Sequence, residues 1–203
     1  MSITVSCELR VRQGHAEAIT GRAIEQLSLP AHRVVGRRHA RLYQHLEDPT
    51  RLLYVAEWES REAFDAYRLT APMPGQPEQF VAMPVCRIYR RLALFEHVLT
   101  PVHIAYADTV EGPAETHAAR RDLLLAYYRA SVRDRRGLVL LMTNEHIDQP
   151  PELLVVSAWQ SPPAASAPEL PGGEHLLDQL RAAGGTVNRF VGRQLVDTAA
   201  GAA

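Results

Sequence analysis

One stretch of this chain occurs twice. His45 to Ser60, HLEDPTRLLYVAEWES, returns as His146 to Ser161, HIDQPPELLVVSAWQS, with His, Pro, Leu, Leu, Val, Trp and Ser at a constant offset of 101 residues. An ungapped duplication at half the chain length constrains the fold more than any local feature, because both copies have to build the same unit. Two repeats are therefore expected, residues 1–97 and 98–203, each the size of a small domain.

The hydrophobic period gives the order of elements within a repeat. Ile3 to Val11 alternates, with Ile3, Val5, Cys7, Leu9 and Val11 on one face and Thr4, Ser6, Glu8 and Arg10 on the other, which predicts a half-buried strand. After Gly14 the period lengthens, and Ala16, Ile19, Ala23, Ile24 and Leu27 recur at helical spacing as far as Pro30. Strands follow at about Arg38 to His45 and Leu52 to Trp58, joined by the turn Glu47 to Thr50. Ser60 is placed to cap a short helix carrying Ala63, Phe64 and Tyr67. A Pro- and Met-rich loop from Thr70 to Pro84 then leads to a fourth strand, Cys86 to Phe95.

That order, βαββαβ, is the ferredoxin-like motif. The second half repeats it, with strands at Val102 to Thr109, Leu138 to His146, Leu153 to Trp159 and Asn188 to Val196, and helices at Ala114 to Arg133 and Glu174 to Ala183. Between Ser161 and Gly173 a proline-rich insertion, either a lid or a surface loop, separates the two copies in detail. The fold class expected is α+β. In each repeat two helices cover one sheet face and leave the other partly apolar and in need of a cover. Packing the repeats sheet to sheet, as an intramolecular α+β barrel, satisfies that need and puts a ligand cavity between the sheets.

Composition removes several classes of function. With 46% hydrophobic and 22% charged residues the chain can bury a core. A net charge of −1 gives no footprint of nucleic-acid or membrane-surface binding. The arginine clusters Arg120–Arg121 and Arg133, Arg135, Arg136 read as solvated helix surface. All 22 basic residues are arginine, which excludes Schiff-base chemistry through lysine. Cys7 and Cys86 sit in strand-like runs and read as ordinary buried thiols. No secretory leader or membrane span is evident, so a soluble cytoplasmic protein is expected. The histidines show no metal-ligand spacing and no phosphate-binding loop occurs, so neither a metal nor a tightly bound nucleotide is expected.

The run Leu53-Tyr54-Val55-Ala56-Glu57-Trp58-Glu59-Ser60-Arg61-Glu62-Ala63-Phe64, with its E-W-x-S-x-x-A-F pattern, resembles the antibiotic biosynthesis monooxygenase family, here in tandem form, with a weaker echo at Leu154 to Ser161. What the resemblance implies is an oxygenase of aromatic natural-product biosynthesis that works without a bound cofactor. An anthrone or naphthol loses a proton and its carbanion passes an electron to O₂, while reduced flavin stays open as a diffusible co-substrate. The protein would supply an apolar pocket, an aromatic wall and donors to the phenolate oxygens. Trp58 and Trp159 carry over as pocket residues; the alternative is that each is a buried core residue. Where the polyketide oxygenases have an Asn four residues before the Trp, this chain has Tyr54 and Val155. Haem-degrading relatives carry a helix His about ten residues after the Trp; positions 68 and 169 here are Arg and Glu.

The second strand of each repeat supplies the remaining polar candidates: His39, Tyr43 and His45, then Asn144 and His146. A neutral imidazole is a suitable base for a weakly acidic C–H or phenol. His45 and His146 directly precede a turn, however, and each could simply cap its hairpin. Pairing register decides which face these side chains take, and it is open at this point. The expectation is an oxygenase acting on a polycyclic phenolic substrate and O₂. Tyr54, Trp58, His45, Asn144 and His146 would be the catalytic residues, and Trp159, His39 and Tyr43 would help bind substrate. The chain would be a monomeric pseudo-dimer or a homodimer. A non-oxidative polyketide cyclase or isomerase, and a binding protein without chemistry, are the alternatives.

Overall fold

The computed structural model describes residues 2–29, 34–71, 73–97, 102–134, 137–148, 151–160 and 175–199. Among these the chain forms eight strands and four α-helices. The first repeat contributes β1 (Ile3–Arg10), α1 (Ala16–Leu27), β2 (Arg37–His45), β3 (Arg51–Trp58), α2 (Arg61–Thr70) and β4 (Val85–Glu96). The second contributes β5 (Ile104–Glu111), α3 (His117–Asp134), β6 (Leu138–His146), β7 (Leu153–Trp159), α4 (Leu176–Ala182) and β8 (Thr186–Ala199). This is the α+β fold of two βαββαβ repeats that the periodicity predicts. The proline-rich insertion lies outside the described residues.

Two compact units result, Met1–Ile88 with Arg193–Ala203, and Tyr89–Gly192. The repeats meet in sequence at residues 97 and 98, whereas β4 and β8 are each divided between the units. In the second unit Tyr89 to Glu96 of β4 pairs with β6. In the first unit the end of β8 lies by β2, where Thr198 Oγ1 donates to the Ala40 carbonyl and Arg193 Nη2 donates to Gln44 Oε1 at 2.7 Å.

In the first unit β3 runs antiparallel between β1 and β2. Tyr54 stands opposite Cys7 on one side and Leu42 on the other. That register collects the odd positions of β1 and the even positions of β2 and β3 on the face that packs against Ile19, Ala23 and Leu27 of α1 and Phe64 of α2. The Ser60 hydroxyl accepts from Ala63 N at 3.2 Å and starts α2 as predicted. Gly36, at φ 82°, leads into β2 so close to α2 that a Cβ there would meet the Ala63 Cβ at 2.5 Å.

The other face is covered as well. Thr4 is 1% exposed and Ser6 8%, so β1 is buried on both sides rather than half-buried. The same side carries a buried ion pair, Arg41 to Glu57 at 3.7 Å, and Arg41 also reaches Asp197 at 3.4 Å. Two charged groups out of water persist only when paired.

The second unit repeats this architecture with different side chains. Offset by 101 residues, Cys7 becomes Asp108, Ile88 becomes Arg189, Gln26 becomes Tyr127 and Ile19 becomes Arg120. Asp108 and Arg189 stand opposite one another on β5 and β8 and form a bidentate pair at 2.7 and 2.8 Å, with Arg189 over the Tyr106 ring. Arg120, expected on a solvated helix face, is 0% exposed. Its guanidinium donates to Thr116 Oγ1 and to the Pro113 and Pro151 carbonyls. Gly112 and Gly185 make room for it, since a Cβ at either would lie within 3.0 Å of the Arg120 side chain.

Because Asp108 is 13% exposed and Arg189 31%, truncating one partner strands a largely buried charge. Asp108→Ala is expected to lower the melting temperature by about 5–10 °C, corresponding to about 2–4 kcal/mol. The double variant Asp108→Cys with Arg189→Ile, which installs the first repeat's residues, is expected to stay within about 1 kcal/mol of the parent. Thermal unfolding followed by circular dichroism checks both.

Candidate functional site

The register of the first sheet leaves a gap under its two helices. Between β1, β2 and β3 on one side and α1 and α2 on the other lies a cavity of about 250 Å³. Cys7, Leu9, Leu42 and Tyr54 form its floor, Ala23, Gln26 and Leu27 one wall, and Phe64, Tyr67 and Arg68 the other. Met73, Pro74, Pro84 and Cys86 complete the rim. The Pro- and Met-rich loop after α2 thus ends as part of the site, tied down by Phe80, which is 2% exposed and bridges to Val11. This cavity lies on the helix-covered face of the first sheet, not on the opposite face where a cavity was expected. The reason is side-chain size: β1 and β2 present Cys7 and Leu42 beside Tyr54, too small to fill the space beneath α1 and α2.

Most of the lining is apolar, and its polar groups are few. The Tyr54 ring borders the cavity, while its hydroxyl is shielded from water and finds no acceptor in the protein, the Trp58 indole N–H being the side-chain donor that bears on it. Burial pushes the Tyr54 hydroxyl well above the ordinary tyrosine range, and burial raises Tyr67 as well. Both are therefore neutral phenols, and the Tyr54 hydroxyl lies buried behind the lining. The positive charge of Arg37 opposes these shifts at both tyrosines. Arg37 is 5% exposed, held by its Nη2 donating to the Leu27 and Leu29 carbonyls. A fixed guanidinium behind two phenols, with Arg68 at the opening, makes this an apolar site with a positive bias.

The sequence-predicted residues distribute as follows. Tyr54 lines the cavity. Trp58 is 0% exposed and packs behind the lining, its ring centroid 5.0 Å from Tyr67 and 5.6 Å from Phe64. Tyr43, 1% exposed, stands opposite Leu53, and His39 opposite Glu57, so both occupy the sheet face away from the cavity. His45 Nδ1 accepts from the backbone N–H groups of Glu47 and Asp48 and caps the hairpin turn.

In the second unit His146 does the same for Asp148, with its ring edge-on to Tyr89. Asn144 is fully buried and donates to the Leu154 carbonyl at 3.3 Å. Trp159 sits in the core with Nε1 donating to Ser157 Oγ at 3.2 Å. Of the eight residues, the cavity gathers Tyr54 and backs it with Trp58. It adds Phe64, Tyr67, Arg68, Gln26, Cys7 and Cys86. Signals for some of these were present: Phe64 and Tyr67 share the apolar face of α2, and position 68 is where haem-degrading relatives carry their His. Among the described residues no group of three or more His, Cys, Asp or Glu side chains could hold a metal ion, and no helix is long and apolar enough to cross a membrane.

Comparison with known proteins bears on the family resemblance and the fold. Residues 2–73, which supply most of the cavity, match the model of the family described as antibiotic biosynthesis monooxygenase. No curated protein matches the sequence. Among solved structures, a candidate monooxygenase from Fusobacterium nucleatum superposes with a TM-score of 0.80 at 8% identity, covering 98% of this chain and 94% of that one. An anthrone oxidase-like protein gives a TM-score of 0.76 at 11% identity, covering 98% and 94%. A candidate monooxygenase from Lactobacillus acidophilus gives 0.70 at 11%, covering 98% and 97%. At such identities the likeness is one of fold, and it extends over the whole length of this chain.

An unpartnered buried hydroxyl destabilises the folded state, so removing it should help. Tyr54→Phe is expected to raise stability by about 1 kcal/mol, or about 2–4 °C in melting temperature. A drop of that size in a thermal melt would show that the hydroxyl is bonded within the protein.

Proposed function

We propose, from the match of residues 2–73 to the antibiotic biosynthesis monooxygenase family, that the first-repeat cavity oxygenates a compact aromatic phenol or anthrone. What supports this reading is the apolar, aromatic lining of the cavity, with the Tyr54 ring in its wall and the neutral Tyr54 hydroxyl buried behind that lining. A volume of about 250 Å³ is at the small end of ligand pockets, which run from roughly 300 Å³ upward, and favours a few fused rings over an extended polyketide.

The chemistry asked of the protein is modest. A substrate that shifts the Tyr54 side chain enough to reach its buried hydroxyl receives a hydrogen bond that strengthens as the phenol or enol ionises, because the charged oxygen is the better acceptor. Arg37 and Arg68 favour the same anion, and Phe64, Leu9 and Leu42 keep water from it. The anion passes an electron to O₂, the radicals combine, and loss of water from the resulting peroxide leaves the quinone. For an anthrone the sum is anthrone plus O₂ giving quinone plus water. Neither a carboxylate nor an imidazole stands among the lining residues. The site therefore acts by stabilising the anion, with solvent taking the proton. No bound cofactor enters this scheme, and reduced flavin as a diffusible co-substrate is a separate arm of the test.

Oxygen consumption with an anthrone or a dihydroxynaphthalene, run with and without reduced flavin, tests the reading. Enzyme-dependent uptake without flavin is expected, and Tyr54→Phe should lower kcat/KM by about 100-fold, the usual effect of losing one donor to an oxyanion. Uptake only with flavin would move the chemistry to a flavin peroxide. No uptake, with binding still visible as quenching of Trp58 fluorescence, would sink the oxygenase in favour of a cyclase or a binding protein.

A further inference from the structure

Neither cysteine enters the scheme above, yet the fold brings the two together. β1 has Tyr54 of β3 along one side. Along its other side the chain returns antiparallel, with Val11 bridging Phe80 and Val81 N donating to the Arg10 carbonyl at 2.7 Å. Followed a few residues further, this segment carries Cys86 to Cys7, and the two thiols hydrogen-bond each other. Both border the same cavity, together with Arg68.

The pair is asymmetric. The hydrogen bond to Cys86, with burial adding to it, drives Cys7 far above the ordinary thiol range, so Cys7 stays protonated and donates. Cys86 is lowered, first by accepting that hydrogen bond and then by the charge of Arg68, against the opposing effect of burial. Cys86, half-buried and in the same cavity lining as Arg68, is thus the better placed to act as thiolate, with the buried Cys7 beside it. The second repeat has Asp108 and Val187 at the equivalent positions, so the arrangement belongs to the first-repeat cavity alone among the two copies.

We propose that Cys7 and Cys86 form a redox-active dithiol that a hydroperoxide entering the cavity oxidises to a disulfide. The Cys86 thiolate attacks the terminal peroxide oxygen, the O–O bond breaks, and the alcohol leaves with a proton, so that Cys86 becomes a sulfenic acid. The Cys7 sulfur then attacks Cys86, the S–S bond forms, and hydroxide departs with the Cys7 proton as water. The sum is dithiol plus hydroperoxide giving disulfide, alcohol and water. Two electrons pass from sulfur to oxygen and no other reactant is needed. This step requires only the cavity and the two thiols, and stands whether or not the protein oxygenates a phenol.

The test uses reduced full-length protein and hydrogen peroxide, quenched with an alkylating reagent and read by intact and peptide mass spectrometry. Both thiols should disappear together within single chains, yielding a peptide crosslinked through Cys7 and Cys86 that dithiothreitol releases. Without peroxide, brief alkylation should label Cys86 at least about tenfold faster than Cys7. In Cys7→Ser, the Cys86 sulfenic acid should persist long enough for capture by dimedone. The proposal is overturned if both thiols survive peroxide exposures that oxidise free glutathione, or if either is oxidised singly in the parent protein. Faster labelling of Cys7, or oxidation of Cys7 at the parental rate in Cys86→Ser, also overturns it. The labelling and crosslinking are read on the parent protein, so they decide the matter even where a variant folds poorly.

Discussion

Everything described for the first repeat depends on the register of β3 between its two neighbours. With Tyr54 level with Cys7 on one strand and Leu42 on the other, Trp58, Ala56 and Leu52 fall on the face that α1 and α2 cover. A slip of one residue would turn Tyr54 away from the helices and bring Glu57 under them. The alternative registers are therefore penalised twice, once by exposing the apolar face and once by burying a carboxylate away from its Arg41 partner. The cavity follows from the same register, because it places a small thiol and a leucine on either side of the tyrosine.

The duplication shows how far the side chains at equivalent positions can diverge. The second unit keeps the strand order, the helices and the tryptophan, yet holds Asp108, Arg189 and Tyr127 where the first has Cys7, Ile88 and Gln26. A bidentate ion pair beneath α3 and a tyrosine in the core, 4% exposed, take the place of small and flexible side chains. An ion pair in that position adds little net stability over a hydrophobic pair, since desolvation offsets most of the attraction. Two copies of one sequence can thus share a fold and place different side chains beneath their helices.

Tyr54 illustrates the conflict between stability and a binding site. A buried phenol without a partner is a defect by the rules of folding, tolerable where a ligand supplies the missing acceptor. Arg37 makes a similar point, being a guanidinium tied to two backbone carbonyls and set where its charge reaches two tyrosines. Such groups are costly to keep in an apolar surrounding, and both lie close behind the cavity lining.

The chain by itself determined the repeats, the order of strands and helices, the capping of α2 by Ser60 and the family resemblance around Trp58. Each of these is written locally, in period and spacing, and local patterns survive translation into structure. Tyr54 was legible as a site residue because it departs from the pattern of its relatives at one defined position. The roles of His45 and His146 as hairpin caps were legible as an alternative, but choosing between cap and base needed the turn itself, whose N–H groups claim the Nδ1 atoms. Only the tertiary structure decided which sheet face holds the cavity, that Arg120 is buried, and that Cys7 lies against Cys86. These depend on pairings between residues far apart in sequence, and on whether the side chains meeting there fill the space between them. Neither quantity has a signature in the periodicity of a single strand.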